Sequence, residues 1–136
     1  MKIAVICANG KAGRLIVKEA VDRNLDVTAV VRGENKSAAG KALVKDLFDL
    51  TAADLKDFDV VVDAFGAWTP ETIPQIPRAA AHLCDVLSGT DTRLVIVGGA
   101  GSLYVDPEHT VTVTDGPDFP EDFKPLAAAH DQALRE

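Results

Sequence analysis

Seven consecutive residues, Cys7-Ala8-Asn9-Gly10-Lys11-Ala12-Gly13, have the types and spacing best suited to chemistry. They follow an apolar run, Ile3-Ala4-Val5-Ile6, and open a stretch with helical periodicity. At such a junction the first N–H groups of the helix lack partners and face the positive end of its dipole. An anion such as a phosphate is then held by backbone alone. Gly10 lets the backbone approach a pyrophosphate, and Gly13 lets the helix pack closely on the strand. Cys7 stands where this pattern usually has a further glycine, so a plain tight turn also fits these residues.

The next informative position is Arg32, with Glu34 two residues on. In dinucleotide folds an acidic residue about twenty positions beyond the glycine loop grips the ribose 2′-OH of NAD, whereas an Arg accommodates the 2′-phosphate of NADP. Arg32 therefore points to NADP, while Glu34 leaves NAD open. A solvated strand-end charge is the plain alternative.

These residues need a scaffold, and the hydrophobic pattern supplies one. Residues 2–7 read as a strand buried on both faces. From 11 to about 24, Ala12, Leu15, Ile16, Val17, Ala20 and Val21 form the apolar side of an amphipathic helix. Residues 26–32 predict a second strand, 36–43 a short helix, and 44–47 a short third strand. Thr51 N-caps a brief helix over 51–56. A β-branched fourth strand covers 59–65. Pro77 suits the first turn of a helix running to about 87, closed by Gly89. Residues 93–97 are a fifth strand, and 121–136 a last helix with acidic residues in its first turn.

Strands alternating with helices imply an α/β fold of Rossmann type, a doubly wound parallel sheet of about five strands joined by right-handed crossovers. The 136 residues suit one domain. Such folds commonly have six strands, so a shortened C-terminus is expected. The hydrophobic fraction of 47% and charged fraction of 26% are ordinary for a soluble protein. A net charge of −7 disfavours nucleic acid as a partner, because phosphate backbones need clustered Lys and Arg. No apolar run is long enough to span a bilayer, and the N-terminus lacks a signal-peptide pattern, which points to the cytoplasm. Cys7 and Cys84 show no metal-ligand spacing and read as free thiols. Cys7, beside a helix start, is expected to have a lowered pKa.

Three blocks in order, residues 1–13, Asp59-Val60-Val61-Val62-Asp63-Ala64-Phe65-Gly66 and Val95-Ile96-Val97-Gly98-Gly99-Ala100-Gly101-Ser102-Leu103-Tyr104, resemble the NmrA-like, atypical short-chain dehydrogenase/reductase group. Within it they are most similar to small bacterial proteins described as NADH-flavin reductases. The resemblance implies cofactor contacts at Asn9, Gly10, Lys11, Ala12 and Arg32, and an adenine contact around Asp46 and Leu47. It also implies an adenosine-ribose site beside Ala64, Phe65 and Gly66, and a nicotinamide end near Gly98 and Gly99. It implies a longer chain whose C-terminal part helps shape the substrate pocket.

On the substrate side, Ser102 and Tyr104 are the candidate catalytic groups. Classical members pair such a tyrosine with a Lys four residues later, but Glu108 stands there and offers no positive charge to favour a phenolate. Packing of Tyr104 in its loop fits better than a catalytic role, and a turn role for Ser102 beside Gly101 fits equally well. Reduction of a flavin relaxes the need for an acid, since the task becomes holding two planar rings in contact. Phe65 and Trp68 offer an apolar wall for that. His82, His109 and His130 have no spacing that joins them into a metal site. Asp115, Asp118, Glu121 and Asp122 suit a helix start better than a cation. Two activities fit: a reductase of a small-molecule acceptor such as a flavin, or a dinucleotide-binding redox sensor without turnover. The oligomeric state is not legible.

Overall fold

In the computed structural model, residues 1–67, 69–99 and 101–135 are described. They fall into two compact units, Met1–Phe65 with His82–Val97, and Gly66–Ala81 with Gly98–Glu136. The first unit is built on five parallel strands: β1 (Lys2–Ile6), β2 (Asp26–Val31), β3 (Lys41–Val44), β4 (Val60–Asp63) and β5 (Arg93–Ile96). Their order across the sheet is β3-β2-β1-β4-β5. This is the order of the dinucleotide-binding folds up to the fifth strand.

The pattern of side chains explains why β1 is central. Ile3 and Val5 turn to one face and join Val27, Ala29 and Val31 of β2 in a cluster closed by helix α1 (Lys11–Asp22) through Val17 and Ala20. Ala4 and Ile6 turn to the other face in register with Val61 and Asp63. A strand apolar on both sides suits the middle of a parallel sheet. At the outer edge β5 leaves Val95 and Ile96 exposed at 42% and 40%.

Thr51 caps a short helix α2 (Ala52–Leu55) as its sequence predicts. Its hydroxyl accepts from the Asp54 N–H, and the Asp54 carboxylate accepts from the Thr51 N–H. Helix α3 (Gln75–Leu87) begins two residues before Pro77, which sits in its first turn. His82 Nε2 lies 2.9 Å from the Leu50 carbonyl oxygen and ties this helix to the segment before α2.

One predicted element is absent. Residues 36–43 form no helix, because local bonds and strand pairing claim them. Asn35 Oδ1 accepts from the Ser37 N–H at 3.0 Å and its hydroxyl at 2.6 Å, and Asn35 Nδ2 donates to the Ala39 carbonyl at 2.8 Å. Such side-chain bonds offer the backbone an alternative to the helix. β3 therefore begins at Lys41, opposite Thr28, rather than at residue 44. Residues 47–49, expected to close that strand or follow it, form a 3-10 turn capped by Asp46.

In the second unit, Tyr104 and Thr112 form an antiparallel bridge, and a 3-10 turn at Val113–Asp115 follows. The last predicted helix divides into a 3-10 turn, Glu121–Phe123, and helix α4 (Lys124–Arg135). No helix among the described residues is long and apolar enough to cross a membrane.

Candidate dinucleotide-binding site

The loop from β1 to α1 is built almost entirely of backbone. The Cys7 and Ala8 N–H groups both donate to the Val30 carbonyl, at 3.1 and 3.4 Å, which fixes the loop to β2. The Gly10 N–H returns to the Cys7 carbonyl at 3.0 Å. Gly10 then caps α1 without any side-chain bond, and no acidic residue lies in the first turn. Helix geometry leaves the N–H groups of Lys11, Ala12 and Gly13 without intrahelical acceptors. This open, positively polarised end fits an anionic phosphate, and no charged group of like sign has to be displaced.

The two glycines have different reasons. A Cβ on Gly13 would lie 2.2 Å from the Cys7 carbonyl oxygen and 2.8 Å from the Ala8 Cα, so no side chain is possible there. A Cβ on Gly10 would stand 3.3 Å from the same oxygen, which is only tight. Cys7 has φ of 60°, in the left-handed region. That is the physical reason a glycine suits this position, since an L side chain held there costs about 1 kcal/mol.

Cys7 also corrects an expectation. Its thiol is pushed up to about 11, first by burial and then by the Asp63 charge, with Arg32 pulling down and Asp46 pushing up. The helix start does not activate it. The same interactions reveal a convergence: residues from the ends of β1, β2, β3 and β4 act on one thiol. Arg32 and Asp46, drawn from sequence, meet there with Asp63, which the sequence reading did not single out. Asp63 is 3% exposed, and burial raises its carboxyl while a 2.9 Å bond from the Phe65 N–H lowers it. The available signal was a lone acid closing the run Val60-Val61-Val62.

The other candidates divide between the units. In the first, Leu47 is buried, Asp46 Oδ1 accepts from the Phe48 N–H at 2.9 Å, Ala64 is buried and Phe65 is half-buried. In the second, Gly66 and Gly98 are exposed, and a Cβ on Gly99 would meet the His130 ring at 3.4 Å. Burial holds His130 below the ordinary histidine range. Ser102 is half-buried, and Tyr104 is 46% exposed with its ring stacked on His109 at 4.9 Å. Trp68 and Ala100 lie outside the described residues. Asp115 accepts from Thr112 in a capping box, and Glu121 pairs with Lys124 at 2.7 Å. Among the described residues no group of three or more His, Cys, Asp or Glu is placed to hold a metal ion.

A parallel sheet in this order, with a glycine-built helix start at the end of its central strand, defines a nicotinamide-dinucleotide-binding domain of Rossmann type. Residues 7–136 match the family model described as NAD(P)H-binding, and the chain belongs to that family. It is 41% identical over 138 residues to the uncharacterized protein YwnB of Bacillus subtilis, covering all of this chain and 65% of YwnB. A solved structure from Streptococcus pneumoniae, described as "a putative NADH-flavin reductase", is 54% identical with a TM-score of 0.95. The match covers 99% of this chain and 64% of that one. A "putative exported protein" from Burkholderia pseudomallei is 36% identical with a TM-score of 0.85, over 99% of this chain and 65% of that one. The chain thus spans just under two thirds of the length of these relatives.

Proposed function

We propose that the chain is the cofactor-holding part of an NADPH-dependent reductase that passes hydride to a flavin or a similar conjugated acceptor. One observation carries the reading: an uncapped, glycine-built helix start at the end of the central strand, with Arg32 exposed directly after the neighbouring strand β2. The similarity to the Streptococcus pneumoniae protein supports flavin as the acceptor class.

The nicotinamide, when bound, supplies the hydride, and water supplies the proton that completes reduction of the acceptor. The residues of the chain bind and orient. The N–H groups of Lys11, Ala12 and Gly13, with Asn9 and Gly10, take the pyrophosphate. Arg32 takes the 2′-phosphate through a charge-assisted bond. Asp46 and Leu47 serve the adenine, Ala64, Phe65 and Gly66 the ribose, and Gly98 and Gly99 the nicotinamide end. Ser102 and Tyr104 are assigned to the acceptor. The two free thiols suit a reducing cytoplasm.

A second reading, a dinucleotide sensor without turnover, is favoured by Glu108 standing where a catalytic lysine would follow Tyr104. Titration with NADPH and with NADH, following reduced-nicotinamide fluorescence, comes first, and NADPH oxidation with and without added flavin second. Tighter binding of NADPH and steady, flavin-dependent oxidation are expected. Binding without oxidation leaves the sensor, and binding of neither nucleotide overturns the cofactor reading for this chain.

A further inference from the structure

We propose that Asn9 is a specificity-determining positioning residue: its side-chain amide holds segment 32–36 against the glycine loop and so sets the preference between a cofactor with a 2′-phosphate and one with a free 2′-hydroxyl. This rests on the reading that Arg32 receives the 2′-phosphate.

The amide spans two loops that are distant in sequence. Asn9 Nδ2 donates to the Glu34 carbonyl oxygen at 2.7 Å, and Asn9 Oδ1 accepts from the Lys36 N–H at 2.7 Å. The Asn9 carbonyl in turn accepts from Arg14 Nε at 2.8 Å, which anchors the residue to α1. Segment 32–36 has little else to fix it. β2 ends at Val31, and among the described residues none of 32–36 makes a backbone-to-backbone hydrogen bond outside the strands. Arg32, Gly33 and Glu34 are exposed, and no atom lies within 4 Å of where a Cβ on Gly33 would sit. Asn35 bonds forward to Ser37 and Ala39 and makes no tie back to the glycine loop.

The residue type follows from that geometry. Asn offers a donor and an acceptor at one short reach, so it can satisfy a carbonyl and an N–H two residues apart. Asp has no donor, and Ser lacks a second polar atom. The residues that read the ribose substituent are thus placed by the phosphate loop itself. A loop held in its bound geometry before the ligand arrives loses less freedom on binding. That saving reaches Arg32 and its partner, the 2′-phosphate, and leaves the shared pyrophosphate contacts alone.

The test measures Kd for NADPH and NADH by nicotinamide fluorescence in wild type, Arg32→Ala, Asn9→Ala and the double variant. Arg32→Ala is expected to cut the preference for NADPH by about tenfold or more, the scale of a hydrogen bond between charged groups. Asn9→Ala is expected to cut it by a similar factor, about tenfold, and the double variant to lose no more than the larger single loss, because the two act as one unit. Equal weakening of both nucleotides in Asn9→Ala, with the preference intact, overturns the proposal. An unchanged preference in Arg32→Ala is a different failure, that of the Arg32 reading. Should Asn9→Ala melt below the assay temperature, Asn9→Ser serves instead. It is neutral, so it adds no charge that would act more strongly on NADPH than on NADH, and its single polar atom does not replace the pair of bonds to the Glu34 carbonyl and the Lys36 N–H. A lowered ratio supports the proposal, and an unchanged one overturns it.

Discussion

The loop after β1 and the loop after β5 both leave the C-terminal ends of parallel strands, yet they are made by different means. The first is a backbone object, closed by Cys7, Gly10 and Val30 main-chain atoms, with Asn9 and Arg14 as its side-chain ties. The second adds a set of side-chain bonds to a main-chain bridge, in which the Val105 N–H donates to the Val111 carbonyl at 2.8 Å and the Val113 N–H to the Leu103 carbonyl at 2.9 Å. Asp106 accepts from the Thr110 hydroxyl and from the Thr110 and Val111 N–H groups, and the Thr114 hydroxyl donates to the Gly101 carbonyl at 2.7 Å. It also exposes Leu103, Tyr104 and Val105. A loop of the first kind is set by where glycine stands and suits a ligand of constant shape. A loop of the second kind is rewritten by single substitutions, which suits the part of a family where acceptors differ.

Substitutions sharpen that contrast. The largest effect is expected for Gly13→Ala, whose new methyl meets a main-chain oxygen at 2.2 Å. Neither partner can yield, so a loss of about 3 kcal/mol is expected, read by urea unfolding, together with loss of nucleotide binding. Gly101→Ala meets the movable Thr114 hydroxyl at 2.5 Å and the Ala127 Cβ at 2.9 Å. The hydroxyl can rotate away but the Ala127 methyl yields only if α4 shifts slightly, so about 1–2 kcal/mol is expected there. A loss equal to that of Gly13→Ala would erase the distinction between the loops.

Asp63→Asn should act in the opposite direction. The amide oxygen keeps the Phe65 N–H bond, and the buried charge is gone. A gain of about 1 kcal/mol at neutral pH, a few degrees in Tm, is expected. The sign with pH follows from the raised carboxyl. Wild-type stability from this group is full below 3.8 and declines as pH rises through the raised folded value, so the advantage of the variant fades in acid. The smallest effect at neutral pH concerns the thiols. With its thiol at about 11, Cys7 should resist alkylation at pH 8, where exposed Cys84 is labelled. The raised Cys7 value also predicts stability that holds up to pH 9 and falls between 9 and about 11, which a pH series of melts would show. Fast labelling of Cys7 at pH 8 would instead mean the helix start governs the thiol.

The strands were legible because β-branched runs such as Val60-Val61-Val62 have few other uses. The capped turn at Thr51 was legible because its chemistry is local. The segment 36–43 was misread as helix because its composition of Ser, Ala, Lys and Leu favours one. What decides it is non-local: pairing of Lys41–Val44 with β2, which no window of sequence contains. The same holds for the site. Glycine spacing marked the loop, but the thiol is not legible there because burial and Asp63, more than fifty residues away, outweigh the nearby helix end. The two Asn9 bonds were invisible for the same reason, as they reach 25 and 27 residues along the chain.

The contact between Gly13 and the Cys7 carbonyl also governs how this sequence can drift over generations. The chain has ten glycines, and they do not hold equal information. An added methyl at Gly33 or Gly40 would meet nothing within 4 Å, so those positions are free to wander through small residues. Position 13 has one permitted letter, because the clash is with main chain and no compensating side-chain change elsewhere can relieve it. A library randomised at 13, 33 and 40 and sorted for folded protein would return glycine at the first and a mixture at the other two.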